Sequence, residues 1–176
     1  MSNLLHLKIK TQGFVPGRGQ KTKFNDALAA SYAAGGLYWQ QKIMNRHFQS
    51  GAAQRYGYTP RKGEEPGISK KRFWASYTGR KLREKGHKRP LVYSGRSEVL
   101  MQIPKVVATA TGGRVSAKVY RFANAFNFRP KNSQVDMARE ISTVLSGEVE
   151  EIVAEIDRKL GPELAAIQDK NEIKIG

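Results

Sequence analysis

The chain has no cysteine and only three histidines in its 176 residues. No thiol means no disulfide, no thiolate nucleophile and no cysteine-based zinc site. Acidic residues are scarce over the first 135 positions, where only Asp26, Glu64, Glu65, Glu84 and Glu98 occur. A metal-dependent nuclease needs clustered carboxylates beside the scissile phosphate. Glu64 and Glu65 are adjacent in a loop-like stretch and do not form such a cluster. There is no Walker-type phosphate loop, no metal-binding helix motif and no Ser-His-Asp set in a recognisable local context. The expectation is therefore a protein that is not an enzyme, with no catalytic residues, no metal and no cofactor. Long apolar runs are also missing, and Met1-Ser2-Asn3-Leu4 lacks a signal-peptide pattern. Cytoplasmic synthesis without a membrane segment is expected.

Positive charge is what the chain has in abundance. It carries 31 Lys and Arg against 15 Asp and Glu, a formal net charge of +16. The charge is unevenly spread. Residues 136–176 hold five basic and ten acidic side chains, a net of −5, which leaves residues 1–135 at +21. Three explanations compete: a basic part that meets nucleic acid, a basic face that meets the acidic face of another copy, or a solvated surface of high pI. The densest segment is 55–89, with 12 Lys or Arg against three acids. Tyr56, Tyr58, Phe73, Trp74 and Tyr77 are threaded through it. So many charges cannot all be desolvated in a core. Arg55, Arg61, Lys70, Lys71, Arg72, Lys88 and Arg89 are expected to meet acids of partner proteins or phosphate, with Tyr56, Tyr58 and Trp74 as apolar anchors. The alternative is that the aromatic side chains fold back on the long helix and only the charges face outward.

Periodicity predicts the elements. Leu5, Leu7 and Ile9 alternate with His6 and Lys8, a short half-buried strand. Residues 10–23 read as a flexible basic loop. Leu28, Tyr32, Gly36, Trp39, Ile43 and His47 form one stripe of a helix over 25–50, capped by Asn25 or Asp26. His47 continues that stripe and reads as a packed or capping histidine. Gly35-Gly36 marks a bend or a close approach. Residues 51–72 read as a second flexible basic loop that orders on a partner. A short basic helix over 73–85 ends at Gly86, and Pro90 to Gly95 is an extended piece entering a turn. Strands are expected at 98–103, 106–110, 114–120 and 141–145, with Gly112-Gly113 as a two-residue hairpin turn. Phe122, Phe126 and Phe128 pack as an irregular aromatic segment. A final helix over 146–160, with Val149, Ile152, Val153, Ile156 and Leu160 as its apolar face, is stopped by Gly161-Pro162, and 161–176 is a tail. The fold class is α+β, a single domain: a small, mostly antiparallel sheet with a central hairpin, packed by the two helices.

Several pieces occur in a recognisable order. Arg46-His47-Phe48, Arg55-Tyr56-Gly57-Tyr58-x-x-Arg61, Lys81, Gly86-His87-Lys88-Arg89-Pro90-Leu91-Val92 and Ser94-Gly95-Arg96 resemble the neck and tail-completion proteins of tailed bacteriophages. That group includes tail terminators, head-to-tail joining proteins and virion-morphogenesis proteins. The similarity covers roughly residues 20–160. It implies a small α+β protein that assembles as a ring, commonly a hexamer, at the neck or the head-proximal end of the tail. It also implies a place in the virion after assembly in the host cytoplasm, and no catalytic residues. The partners would be other copies of the chain, adjacent neck, adaptor, portal and tail-tube proteins, and genomic DNA passing nearby. Glu150, Glu151 and Glu155 on the acidic final helix are the candidate inter-subunit residues. The competing readings are a basic nucleic-acid-binding module and, more remotely, a small enzyme.

Overall fold

A computed structural model of the chain describes residues 3–7, 19–101, 104–117 and 135–172. The predicted loop at 13–18, the aromatic segment 122–128, and positions 9, 118–120 and 173–176 lie outside the described residues. The fold is α+β, and the chain divides into two compact units. One is built from residues 1–41, 104–117 and 145–176, the other from 42–103 and 118–144.

The first unit is a three-stranded antiparallel sheet with one helix packed on it and a second helix packed against the first. Strand β1 (Asn3–Leu7) and β2 (Pro104–Thr109) flank β3 (Gly112–Ala117). Leu7 pairs with Gly113 on one side of β3, and Ala108 with the same Gly113 on the other. The hairpin turn is Ala110-Thr111, not the expected Gly112-Gly113. Thr109 Oγ1 closes it by accepting from the Thr111 amide at 3.4 Å. The glycine is needed for space instead. A Cβ on Gly113 would lie 3.1 Å from Tyr32 Cβ and 3.2 Å from the Tyr32 carbonyl oxygen. The alternation along β2 holds: Val107 is exposed while Ala108 and Ala110 pack against the core.

Helix α1 (Lys21–Tyr38) starts a turn earlier than expected, and Asn25 and Asp26 lie within it, not at its cap. Gln20 precedes it with no side-chain cap bond. Its side chain instead donates to the Ile167 carbonyl at 3.1 Å. Burying Phe24 is worth about 2 kcal/mol and outweighs a cap worth about 1. Phe24, Ala27, Leu28 and Tyr32 form a core with Leu160 and Ile167 of the last helix, α7 (Ser146–Glu172). Gly36 is also buried.

Helix α7 does not stop at Gly161-Pro162; it runs through Pro162 to Glu172. An interior proline costs about 3 kcal/mol. Leu160, Leu164 and Ile167 all lie in or against the core, and each buried aliphatic side chain returns about 1.5–3 kcal/mol. Packing wins. The outer face of α7 also differs from expectation. Val149 and Val153 are 48% and 47% exposed, and the buried stripe is Glu148, Ile152, Ile156, Leu160 and Ile167.

The long helical path does not keep one pitch. After Tyr38 it widens into a π-helical turn, Trp39–Ile43, then tightens into a 3₁₀ turn, Met44–Phe48. The stripe nonetheless stays inside: Trp39, Ile43 and His47 are fully buried. The chain passes from the first unit to the second within the π turn.

In the second unit the stretch 51–72 carries real structure. Helix α2 (Ala52–Arg55) is followed by a chain of turns and then α3 (Lys70–Ala75). Helix α4 (Tyr77–Lys85) follows after a break at Ser76 and ends at Gly86, whose left-handed backbone (φ 69°) caps it as expected. Residues 96–101 form helix α5 (Arg96–Met101), not a strand. Leu and Met are good helix formers, and Glu98 sits in the first turn, where the helix dipole favours a carboxylate. Residues 137–142 form α6 (Met137–Ser142), which takes in the first two residues of the strand expected at 141–145, and 143–145 form no strand. Asp136 starts α6 by accepting from the Arg139 amide at 3.0 Å.

Candidate basic and aromatic interface

Two arrangements in the second unit use the residues singled out by the sequence. The first is buried. His47 stacks on Tyr56 with ring centroids 3.9 Å apart and planes 13° from parallel. Its Nδ1 hydrogen-bonds the Tyr58 hydroxyl. Tyr56 and Tyr58 are therefore core residues, 7% and 6% exposed, not outward anchors. The aromatic side chains fold back, and the arginines flank them: Arg55 lies over Tyr56 and Arg61 over Tyr58, each at 5.7 Å.

Arg61 is also held inward. Its guanidinium forms a bidentate pair with Glu140, Nη1 to Oε1 at 2.8 Å and Nη2 to Oε2 at 2.5 Å. The same Oε1 accepts from the Thr59 amide at 3.1 Å, and Arg61 Nη1 reaches the Thr59 carbonyl at 2.6 Å. This cluster ties the stretch after α2 to helix α6. Arg89 is similarly engaged, at 3.2 Å from both oxygens of Glu98.

The second arrangement is exposed. Ser76 makes the corner between α3 and α4. Its hydroxyl donates to the Phe73 carbonyl at 2.6 Å and accepts from the Gly79 amide at 3.1 Å, so one residue ends one helix and starts the next. Helix α4 turns Thr78, Gly79 and Lys81 inward and leaves Tyr77, Arg80, Arg83 and Lys85 outward. Tyr77 stacks against Tyr93 at 6.2 Å. Phe73 and Trp74 meet edge to face at 5.0 Å. Lysines lie over these side chains: Lys85 at 5.3 Å from the Tyr93 centroid and Lys88 at 4.9 Å from that of Phe73. Trp74, Tyr77 and Tyr93 are 47%, 41% and 40% exposed.

The electrostatics follow from crowding of like charge. Burial, with Arg61 and Arg89 nearby and only Glu64 opposing, lowers the Lys81 ammonium to about 8. Lys81 donates to the Arg89 carbonyl. His87 is also held below its usual value, by desolvation first and then by Lys81 and Arg89. The Tyr93 hydroxyl is raised by its hydrogen bond to Glu84 at 2.5 Å. The local acids are thus occupied: Glu64 accepts from the Arg61 amide, Glu65 from the Gly63 amide, and Glu84 from Tyr93. Lys70, Lys71, Arg72, Arg80, Arg83 and Lys88 form no salt bridge among the described residues.

The expected site residues therefore separate into two groups. Arg55, Lys70, Lys71, Arg72, Trp74 and Lys88 are exposed, while Tyr56, Tyr58, Arg61 and Arg89 are engaged inside the unit. Tyr77, Arg80, Arg83, Lys85 and Tyr93 are exposed as well, though none of them was among the expected site residues. The spacing of Tyr77, Arg80 and Glu84 behind the Ser76 cap was a signal for this face. On α7, Glu151 accepts from the Tyr38 hydroxyl at 3.0 Å and Glu155 pairs with Arg158 at 2.6 Å, which leaves Glu150 exposed between them and the two valines. The motif Pro90-Leu91-Val92 forms a tight turn in which Leu91 has φ 56° and Val92 is buried.

Among the described residues no group of three or more His, Asp or Glu could hold a metal ion, and no helix is long and apolar enough to cross a membrane. Comparison with protein-family models, with curated proteins and with solved structures finds no significant match to this chain.

Proposed function

We propose that this protein is a structural component of a tailed-bacteriophage virion. In this reading, copies of it close into a ring at the neck or the head-proximal end of the tail and join head to tail, in contact with adjacent neck, portal and tail-tube proteins. The observation that carries the reading is the order of elements. A long helix leads into a basic segment, a Pro-Leu-Val-x-Ser-Gly turn, a β-hairpin and a carboxyl-terminal helix, the order shared by the proteins the sequence resembles. The outer face of α7 adds support. Val149 and Val153 lie half-exposed beside Glu150, an apolar and acidic stripe suited to a heterologous contact that repeats around a ring. A nucleic-acid-binding module is the second reading, favoured by the unpaired basic face of α3 and α4.

Negative-stain microscopy with sedimentation of the purified protein separates the two. Closed rings support a neck component. A monomer at every concentration, with tight salt-sensitive DNA binding, supports the module. If rings form, Val149→Asp with Val153→Asp weakens them. Rings unchanged by that pair would mean that α7 is not the contact.

A further inference from the structure

The basic face of α3 and α4 has more charge than another copy of this chain can neutralise. Glu150, Glu151, Glu155, Asp157 and Glu163 are the acids along the middle of α7, and Arg158 and Lys159 already sit among them, with ion pairs to Glu155 and Glu163. The chain as a whole is +16, so every added copy adds positive charge. Self-association sets register but leaves the excess uncompensated. An external polyanion is the fitting occupant.

We infer that the exposed cations of α3 and α4, Lys70, Lys71, Arg72, Arg80 and Arg83, together with Lys88 just beyond α4, dock the phosphate backbone of duplex DNA without reading its sequence. It rests on the reading above only for the identity of that DNA as a packaged genome. Duplex DNA presents one negative charge per about 1.7 Å of axis, so several cations on one short segment can each meet a phosphate. Phe73, Tyr77 and Tyr93 do not form a base-stacking platform, and the one remaining exposed ring, Trp74, meets Phe73 edge to face. Tyr77 is stacked on Tyr93, the Tyr93 hydroxyl is bound by Glu84, and Lys85 and Lys88 lie over Tyr93 and Phe73. With their faces occupied, these side chains act as rails that hold lysine ammonium groups in place. Base stacking of a single strand would need open ring faces. Asn and Gln, the side chains that read adenine edges bidentately, are absent from residues 70–89.

The test is fluorescence anisotropy of the full-length protein with two duplexes of unrelated sequence, a single strand and poly-glutamate, over a series of salt concentrations. The two duplexes are expected to bind equally, more tightly than the single strand or poly-glutamate at matched charge. Replacing Lys70, Lys71 and Arg72 together by Gln should flatten the slope of log K against log salt by about 2–3, near 0.9 per lost phosphate contact. The control Lys21→Gln with Lys23→Gln, on α1, should lower the slope far less, and Trp74→Ala should leave duplex affinity within about twofold. Circular dichroism confirms that each surface variant is folded. Four results would overturn the inference. They are preference for poly-glutamate, which indicates an acidic protein partner; tighter single-strand binding that needs Trp74; equal loss in the control, which indicates net charge alone; and no DNA binding. Sedimentation of the same samples reports ring formation, so failure of the DNA contact and failure of the ring reading are separate outcomes.

Discussion

Removing the Glu140 carboxylate is the sharpest test of how the second unit is held together. Its two oxygens take two N–H groups of Arg61 and the Thr59 amide, and the paired side chains are 8% and 13% exposed. Glu140→Ala leaves a guanidinium in a largely dry site and an amide without its acceptor. Breaking a buried pair from one side costs about 3–5 kcal/mol, against a total stability of about 5–15 for a domain. With a urea slope of about 2 kcal/mol per molar, the midpoint should fall by roughly 1.5–2.5 M. Glu140→Gln keeps an acceptor for Thr59 and loses the charge, so a smaller loss of about 1–3 kcal/mol is expected. Arg61→Met with Glu140→Leu removes both charges and should recover most of the loss, because well-packed apolar pairs substitute for buried ion pairs at little cost. Urea denaturation followed by circular dichroism supplies the free energies. Hydrogen exchange at the Thr59 amide supplies the local reading, slow in the native protein and fast in Glu140→Ala. A loss under about 1 kcal/mol for Glu140→Ala would show that the pair behaves like an exposed salt bridge, and that the stretch after α2 is not pinned to α6.

Three further outcomes are expected. Gly35→Ala places a Cβ 2.6 Å from Ile156 Cγ1 and 2.8 Å from its Cδ1, so crowding of about 1–3 kcal/mol should exceed the helix gain of about 1, and Ile156→Ala in the same chain should relieve the clash; chemical denaturation of the double-mutant cycle measures the coupling. Lys81 has its folded-state value lowered to about 8 from 10.5, so the unfolded chain binds more protons between those values and stability should rise with pH across that window. The gain near pH 10 should be about 2 kcal/mol relative to Lys81→Met, and equal pH profiles for the two proteins would rule it out. Pro162→Ala should stabilise α7 by about 1–3 kcal/mol in thermal unfolding, and a loss instead would mean that Pro162 is needed to seat Leu164 and Ile167.

Much of the fold was legible because burial left a period. The stripe from Leu28 to His47 and the alternation around residues 106–110 depend on which side faces the core, and both hold. The errors have local causes. Short apolar runs such as Val99 to Ile103 and Ile141 to Leu145 suit a strand or one helical turn equally well, and the Asp136 cap that decides the second was overlooked. Pro162 and the missing cap at Gln20 argue locally for boundaries that tertiary packing overrides. Charge density pointed to the right segment of the site, yet it could not separate Arg61 and Arg89 from Lys70 and Lys71. That distinction depends on Glu140, 79 residues from Arg61, and on Glu98 in a helix that was read as a strand. The inward turn of Tyr56 and Tyr58 likewise depends on His47, whose burial was visible in the stripe while its stacking partners were not.

The strand order β1-β3-β2 has a bearing on how the chain is made. The ribosome releases β1 well before β3, whose partner residues 113–116 follow more than a hundred positions later. At about 5–20 residues per second, β1 waits roughly 5–20 s for β3 to exist. Helix α1 waits longer still, since Leu160 and Ile167, which complete its core, belong to α7, which is made after β3. During that interval Phe24, Leu28 and Tyr32 lack their native cover, and the nascent chain offers an apolar helix face to chaperones or to its neighbours on the same message. A chain cut short before residue 160 would never leave that state.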